Sequence, residues 1–343
     1  MQRYLMQTAR VTALLVLFLS LACGPSDVDR PEGLRVIMVF DMAGLGDRGF
    51  NDMGWAGVQR AVKELGVNAS HIQSSEQGDY IPNLSLAAQQ ADVVVAMGFL
   101  MIESLAKVAP LHPETKFIFI DGEVSGDNIA SFDFKAEEGA YLAGVLASQV
   151  SKTGRVGCVL GMDIPPVEAY EAGFRAGLMA GGARGGRNFV FHSATIGDFN
   201  DPSRGKALAQ GLIAQGCDVI MQAAGNSGLG VLEAVKESEA VYGIGVDMDQ
   251  DDVVPGKILT SVLKRIDNAV YQGLSDAVGG RFEAGHSWLG IREGATALTK
   301  WRSRFPGQEV GRLVDRAESW VRSGGRVSNN RREIKQGHDE VGW

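Results

Sequence analysis

The chain has 343 residues, 45% of them hydrophobic, and a formal charge of −8. Its length and apolar content can bury substantial cores and favour two domains over one. The acidic balance, with no basic block interleaved with aromatics, excludes nucleic acid as a partner.

Arg3 and Arg10 form a positive n-region, and the apolar run 11–21 is too short to cross a bilayer. Residues 1–22 therefore read as a signal peptide, with Ala22 as the small residue before the cut. Cys23 follows and reads as a lipid attachment site, although Ser20 stands where such signals usually carry Leu. Residues 23–33, polar and punctuated by Pro25 and Pro31, read as a lipidated tether. This places the protein in the cell envelope, anchored to a membrane through Cys23. Loss of Arg3 and Arg10 takes the formal charge to −10.

From residue 34 onward, short β-rich apolar runs alternate with amphipathic helical windows, the pattern of parallel sheets covered by helices. The strands predicted are 34–40, a weaker one near 71–73, then 92–98, 116–121, 155–161, 189–194, 217–223, 241–247 and 257–262. Helices are predicted over 51–65, 80–90, 100–109, 135–150, 167–181, 201–215, 227–238 and 264–278. The window 135–150 carries a face of Ala and Gly that would let it lie close on a sheet. Cys158 and Cys217 fall on predicted strands and read as buried thiols, with a disulfide between them as the alternative. About eight βα units exceed what one open sheet carries comfortably, so two lobes are expected.

The turn-rich, then extended, segment 121–134 reads as a crossover between lobes, with a return near 246–264. The expected N-terminal lobe is 34–130 plus 247–285, the C-terminal lobe 131–246 plus 286–328, and 329–343 a loose polar tail.

Gly44, Gly46 and Gly49 match G-x-G-x-x-G after the first strand, but a dinucleotide site does not follow. Asp41 and Asp47 put carboxylates where a pyrophosphate needs a neutral or positive cradle, and no acid ends the second strand to hold a ribose. No cofactor is expected. The run Asp247, Asp249, Asp251, Asp252 lacks the glycine and terminal glutamate of a calcium loop, so no metal is expected either.

Several ordered segments resemble the basic-membrane-protein family of substrate-binding lipoproteins: GDRGFNDMGWAG (46–57), KFIFIDG (116–122), FKAEEGAYLAGVLA (134–147), GCVLGMDIPPVEAYEAGFRAG (157–177), GDFNDPSRGKALA (197–209), QAAGNSGLGVLEA (222–234) and GVDMDQ (245–250). The resemblance implies a type I periplasmic binding protein, two doubly wound parallel-sheet lobes joined by a hinge. It implies a monomer that binds a purine nucleoside and works with an ABC permease and its ATPase subunit.

A nucleoside presents two flat faces, a polar base edge and a vicinal diol. The resemblance places Phe50 and Phe199, one from each lobe, on the faces of the base; as residue types alone both could be core phenylalanines. Asn51 and Asp121, with Asp41 as a further contributor, have the chemistry to read the base edge. Their structural alternatives are a helix cap for Asn51, a strand-end turn for Asp121 and a cap on the following loop for Asp41. The resemblance puts Asp247 on the ribose with Lys264 beside it, and Gly225 brings a backbone amide close. A salt bridge between Asp247 and Lys264, and a plain turn at Gly225, are the alternatives.

No nucleophile–base pair or metal-ligand spacing is visible in the sequence, so an enzyme is not expected. A nucleoside hydrolase, and a nucleoside- or sugar-sensing receptor of the same fold, remain the competing readings.

Overall fold

The computed structural model describes residues 33–300 and 307–330. The signal peptide, Cys23, nearly all of the tether and most of the polar tail lie outside the described residues. In chain order the elements are β1 (Arg35–Phe40), α1 (Phe50–Leu65), β2 (Asn68–Gln73), α2 (Tyr80–Gln90), β3 (Val93–Met97), α3 (Ile102–Val108), β4 (Lys116–Ile120), β5 (Ile129–Phe134), α4 (Ala136–Val150), β6 (Arg155–Leu160) and α5 (Pro165–Arg184). They continue with β7 (Val190–Thr195), α6 (Pro202–Ala214), β8 (Val219–Ala223), α7 (Ser227–Glu237), β9 (Tyr242–Asp247), β10 (Ile258–Lys264), α8 (Ile266–Val278), β11 (Gly285–Leu289), β12 (Thr296–Leu298) and α9 (Gln308–Arg322).

Among the described residues these form two sheets, ordered β11-β5-β4-β3-β1-β2 and β12-β10-β9-β8-β6-β7. All pairings are parallel except β12 on β10. The period-2 alternation of strand side chains builds a core on each face of the first sheet. Val36, Met38 and Phe40 join Val58, Val270 and Leu274 of α1 and α8. Ile37 and Val39 join Leu84 and Leu105 of α2 and α3 on the other face. Both faces are covered, which is why Val93–Met97 is an unbroken apolar run. The chain is thus a two-lobed, doubly wound α/β protein.

The lobe boundaries differ from the expected ones in three places. Residues 131–134 complete β5, which pairs with β4 in the first sheet. β10 pairs with β9 and sets Leu259 and Val262 in the second lobe's core, so 247–264 belong to that lobe; the chain returns only at α8, whose apolar face packs on the first. Residues 286–289 lie in β11 and pair with β5, returning to the first sheet. The small residues of α4 let it lie close on the second sheet, where a Cβ on Gly139 would meet Thr296 and Val262, and also on α5, where a Cβ on Gly144 would lie 2.1 Å from the Phe174 carbonyl oxygen. Cys158 and Cys217 are buried and not bridged.

Three passages connect the lobes, at Lys135, Arg265 and Gly290, and they are laced together. The Lys135 amide donates to the Leu289 carbonyl (2.9 Å) and the Arg265 amide to that of Ala295 (2.8 Å). The Ile291 amide donates to the Glu138 carboxylate (2.8 Å). α9 braces the third passage, with the Arg322 guanidinium donating to the Ile291 carbonyl at 2.7 Å.

Candidate functional site

In open parallel sheets the carboxyl ends of the strands meet the helix N-termini, and that edge is where ligands bind. Here the two edges face one another across a cavity of about 600 Å³, counting its open mouth. The eight residues singled out in the sequence, Asp41, Phe50, Asn51, Asp121, Phe199, Gly225, Asp247 and Lys264, all line it. Asp41 and Asp121 follow β1 and β4, Phe50 and Asn51 open α1, and Gly225 follows β8. Phe199 lies in the turn between β7 and α6, while Asp247 and Lys264 end β9 and β10.

Phe50 and Phe199 come from opposite lobes and are both only half-buried. A glycine makes room for Phe199: a Cβ on Gly161 would lie 2.4 Å from its ring, while one on Gly225, whose φ is +54°, would only touch the same side chain at 3.4 Å. Asp121 and Asp247 themselves adopt left-handed backbone, φ 72° and 67°. Asp tolerates that region better than bulky residues, and two such conformations facing one cavity fit a site whose geometry is set by more than folding.

Asn51 is fully buried, and its role differs from a simple cap. Its Nδ2 donates to Asp41 Oδ1 (2.8 Å) and Asp47 Oδ2 (3.1 Å), which fixes the amide orientation because the flipped form would set oxygen against two carboxylates. Asn51 Oδ1 is left as a buried acceptor with no hydrogen-bond partner among the described residues. The capping task falls to Asp47, which accepts from the amides of Gly49, Asn51 and Asp52 at 3.0, 2.8 and 3.2 Å. The α1 N-terminus, where a Rossmann-type site would hold phosphate, is thus filled by the protein's own carboxylate.

The lobe-crossing ion pair also differs from the alternative considered. Lys264 Nζ sits 2.6 Å from Asp121 Oδ2, not on Asp247, and both partners are buried. The same ammonium lies 5.3 Å from the Phe50 ring centroid and 5.2 Å from that of Phe134. Asp247 instead accepts at Oδ1 from the Tyr170 hydroxyl (2.9 Å). Its other oxygen faces Gly49 across the cleft, where a Cβ would approach it to 3.4 Å.

Burial dominates the titration of these acids. It raises Asp41 despite hydrogen bonds from Asn51 and Ala43, and it pushes Asp47 up to about 7 against the amides it accepts from. Asp247 is raised to about 6, again by burial, with Lys264 and the Tyr170 hydroxyl pulling the other way. Burial and the Asp247 charge hold the Tyr170 hydroxyl well above its usual range.

Tyr170 and Asp47 line the cavity but were not among the residues chosen from sequence. Tyr170 stands inside the VEAYEAGF segment, yet its partner is 77 positions away, a pairing no local pattern announces. Asp47 was visible only as an obstacle to dinucleotide binding. Among the described residues no group of His, Cys, Asp or Glu side chains is arranged to hold a metal ion.

Comparison with known proteins places this geometry. A protein of Pyrococcus furiosus named as a lipoprotein is 32% identical over 300 residues, covering 84% of this chain and 75% of the relative. The ABC transporter nucleoside-binding protein BmpA of Lactococcus lactis is 30% identical over 274 residues, covering 74% and 77%. A crystal structure of an ABC transporter solute-binding protein from Aeropyrum pernix superposes with a TM-score of 0.84 at 30% identity, covering 90% of this chain and 99% of that one. The family profile for PnrA-like ABC transporter substrate-binding proteins, Bmp, matches residues 34–329. The chain therefore belongs to the Bmp family of ABC transporter substrate-binding proteins.

Proposed function

We propose that this protein captures a purine nucleoside between its lobes and delivers it to an ABC permease, held at the membrane by lipid on Cys23. One observation carries the reading: Phe50 and Phe199, from opposite lobes, border a single cavity whose remaining polar groups are mostly hydrogen-bond acceptors. Two rings sandwich a heterocycle, a contact of about 1–3 kcal/mol per base. Asn51 Oδ1 and the acids at 41 and 121 suit the N–H groups of a base edge, and the outward oxygen of Asp247 suits ribose hydroxyls. A phosphate would meet buried carboxylates and a lysine already paired with Asp121, so nucleotides are expected to bind far more weakly. The names of the Lactococcus and Pyrococcus relatives support the ligand class and the lipid anchor respectively.

A thermal-shift panel of nucleosides, free bases, nucleotides and pentoses tests the reading. Selective stabilisation by purine nucleosides is expected, about 2.7 kcal/mol at a hundredfold excess over Kd. A response to pentoses alone would transfer the fold to sugar binding, and free base released from inosine would reveal a hydrolase.

Affinity should also depend on pH in a defined direction. Asp247 accepts from ribose in its ionised form, and its value near 6 makes that form dominant above pH 7. Inosine affinity measured by calorimetry is expected to be highest above pH 8 and to fall as pH drops through 7 and then 6, as Asp47, which holds Asn51, and then Asp247 take up protons, with Asp247 setting the lower midpoint. In Tyr170→Phe the lost hydroxyl no longer favours the carboxylate, so the lower midpoint should move up while the fold persists. An unmoved midpoint would remove Tyr170 from the ligand-holding machinery.

A further inference from the structure

At the mouth of the cleft the lobes are joined by side chains that do not line the cavity. Arg48, just ahead of α1, has left-handed backbone at φ 50°, and its guanidinium pairs with Asp252 of the second lobe. Its carbonyl oxygen accepts from Gln250 Nε2 at 2.7 Å. Gln250 is 1% exposed and fully committed: its amide N–H donates to Ser261 Oγ (3.1 Å), and its Oε1 accepts from Gln222 Nε2 (2.8 Å) and the Val246 amide (3.2 Å). Gln222 in turn accepts from the Ala224 amide (3.0 Å). Ala224 and Val246 are cavity walls of the second lobe. The chain of bonds therefore runs behind those walls and ends on the peptide that leads into Phe50 and Asn51.

We propose that Arg48, Gln250 and Asp252 form a clasp that sets the open–closed equilibrium of the unliganded protein, with Gln250 positioning the Phe50 loop against the second lobe. Every contact in it is between protein groups, so its contribution is independent of what the cavity holds. Separating the lobes breaks the Gln250–Arg48 bond and the Arg48–Asp252 pair together, in addition to the Lys264–Asp121 pair inside the cavity. The ion pair is exposed and screened by salt, so its share shrinks as ionic strength rises. The buried amide bond is not screened in this way and carries the larger share. Apparent affinity scales with the fraction of molecules already closed, so these three residues tune capture and release without touching ligand. The inference takes from the proposed function that the two lobes close on what they capture, but not the identity of the ligand.

Nitroxides on Gln77→Cys in the first lobe and Lys236→Cys in the second, both exposed positions, report the interlobe distance by pulsed electron paramagnetic resonance in ligand-free protein. At low salt, Gln250→Glu is expected to lower the closed-to-open ratio at least about fivefold, roughly 1 kcal/mol by the tenfold-per-1.4 kcal/mol conversion, and Asp252→Arg, which acts on an exposed pair, by about two- to threefold. Combining Arg48→Glu with Asp252→Arg should restore the ratio, which a merely structural role for Asp252 would not produce. Arg48 and Asp252 are surface side chains, so the charge swap remains informative even if Gln250→Glu fails to fold. The clasp is overturned if Asp252→Arg leaves the distances unchanged, or if the swapped pair stays as open as Asp252→Arg alone. Distances that respond in a protein binding no purine nucleoside would count against the ligand reading only. Intact nucleoside binding with unresponsive distances would count against the clasp only.

Discussion

Asp247→Asn is expected to weaken purine nucleoside binding by about a hundredfold or more while raising thermal stability at pH 7.5. Both effects come from the same carboxylate. Its Oδ1 is held by Tyr170 and its Oδ2 faces the cleft, so the charge is directed at one place. Hydrogen bonds to an ionised partner contribute about 1.5–3 kcal/mol each, and the amide keeps the shape but loses the charge. The stability effect follows from proton linkage. The folded value near 6 lies above that of an unfolded aspartate, so the folded state holds the proton more tightly. The cost of burying the charged form is absent below about pH 4, grows as pH rises to 6 and is constant above it. The asparagine variant should therefore gain stability at pH 7.5 and none near pH 4. Calorimetry and melting curves on the two proteins check both halves, and a variant that loses binding by unfolding would show the opposite shift.

Gly177→Ala is expected to destabilise the second lobe by more than about 3 kcal/mol, although glycine-to-alanine exchange inside a helix ordinarily stabilises by about 1 kcal/mol. The reversal comes from α4 and α5 packing backbone to backbone. A Cβ at Gly177 would lie 1.9 Å from the Tyr141 carbonyl oxygen, and one at Gly173 would lie 2.2 Å from that of Glu137. Both obstacles are main chain, so no rotamer change relieves them. Gly211 in α6 is the control: a Cβ there meets nothing within 4 Å, and Gly211→Ala should stabilise by about 0.5–1 kcal/mol. Urea melts of the pair, one falling and one rising, would establish that space rather than helix propensity decides.

Much of this architecture was legible because buried parallel strands advertise themselves. Val93–Met97 and Lys116–Ile120 are apolar almost throughout, and their neighbours carry helical periodicity. β11, Gly285–Leu289, was missed because it runs along a sheet edge, where Ser287 and Trp288 are exposed and no apolar run marks it. α9 is different: Val310, Leu313, Val314, Ala317, Trp320 and Val321 have clear helical spacing, but the polar residues between them make the segment read as surface rather than core. The assignment of β10 to the wrong lobe has a deeper cause. A strand's composition says that it is buried, not which sheet it joins, and β9 and β10 are parallel neighbours linked by a loop without a helix. In the site, positions at strand ends were readable one by one. The partnerships were not: Lys264 with Asp121 spans 143 positions, and the direction of the Asn51 amide depends on two acids meeting it at once.

The laced passages between the lobes also carry a practical consequence. Because Lys135, Arg265 and Gly290 are cross-bonded to neighbouring stretches of chain, and α9 pins the third, bending at one is transmitted to all. If the lobes close on ligand as proposed, each is expected to turn as a plate about one shared axis. A solvent-sensitive dye attached at the rim, far from the cavity, would brighten or dim with occupancy, which makes the protein a ready frame for an optical reporter of its own cargo.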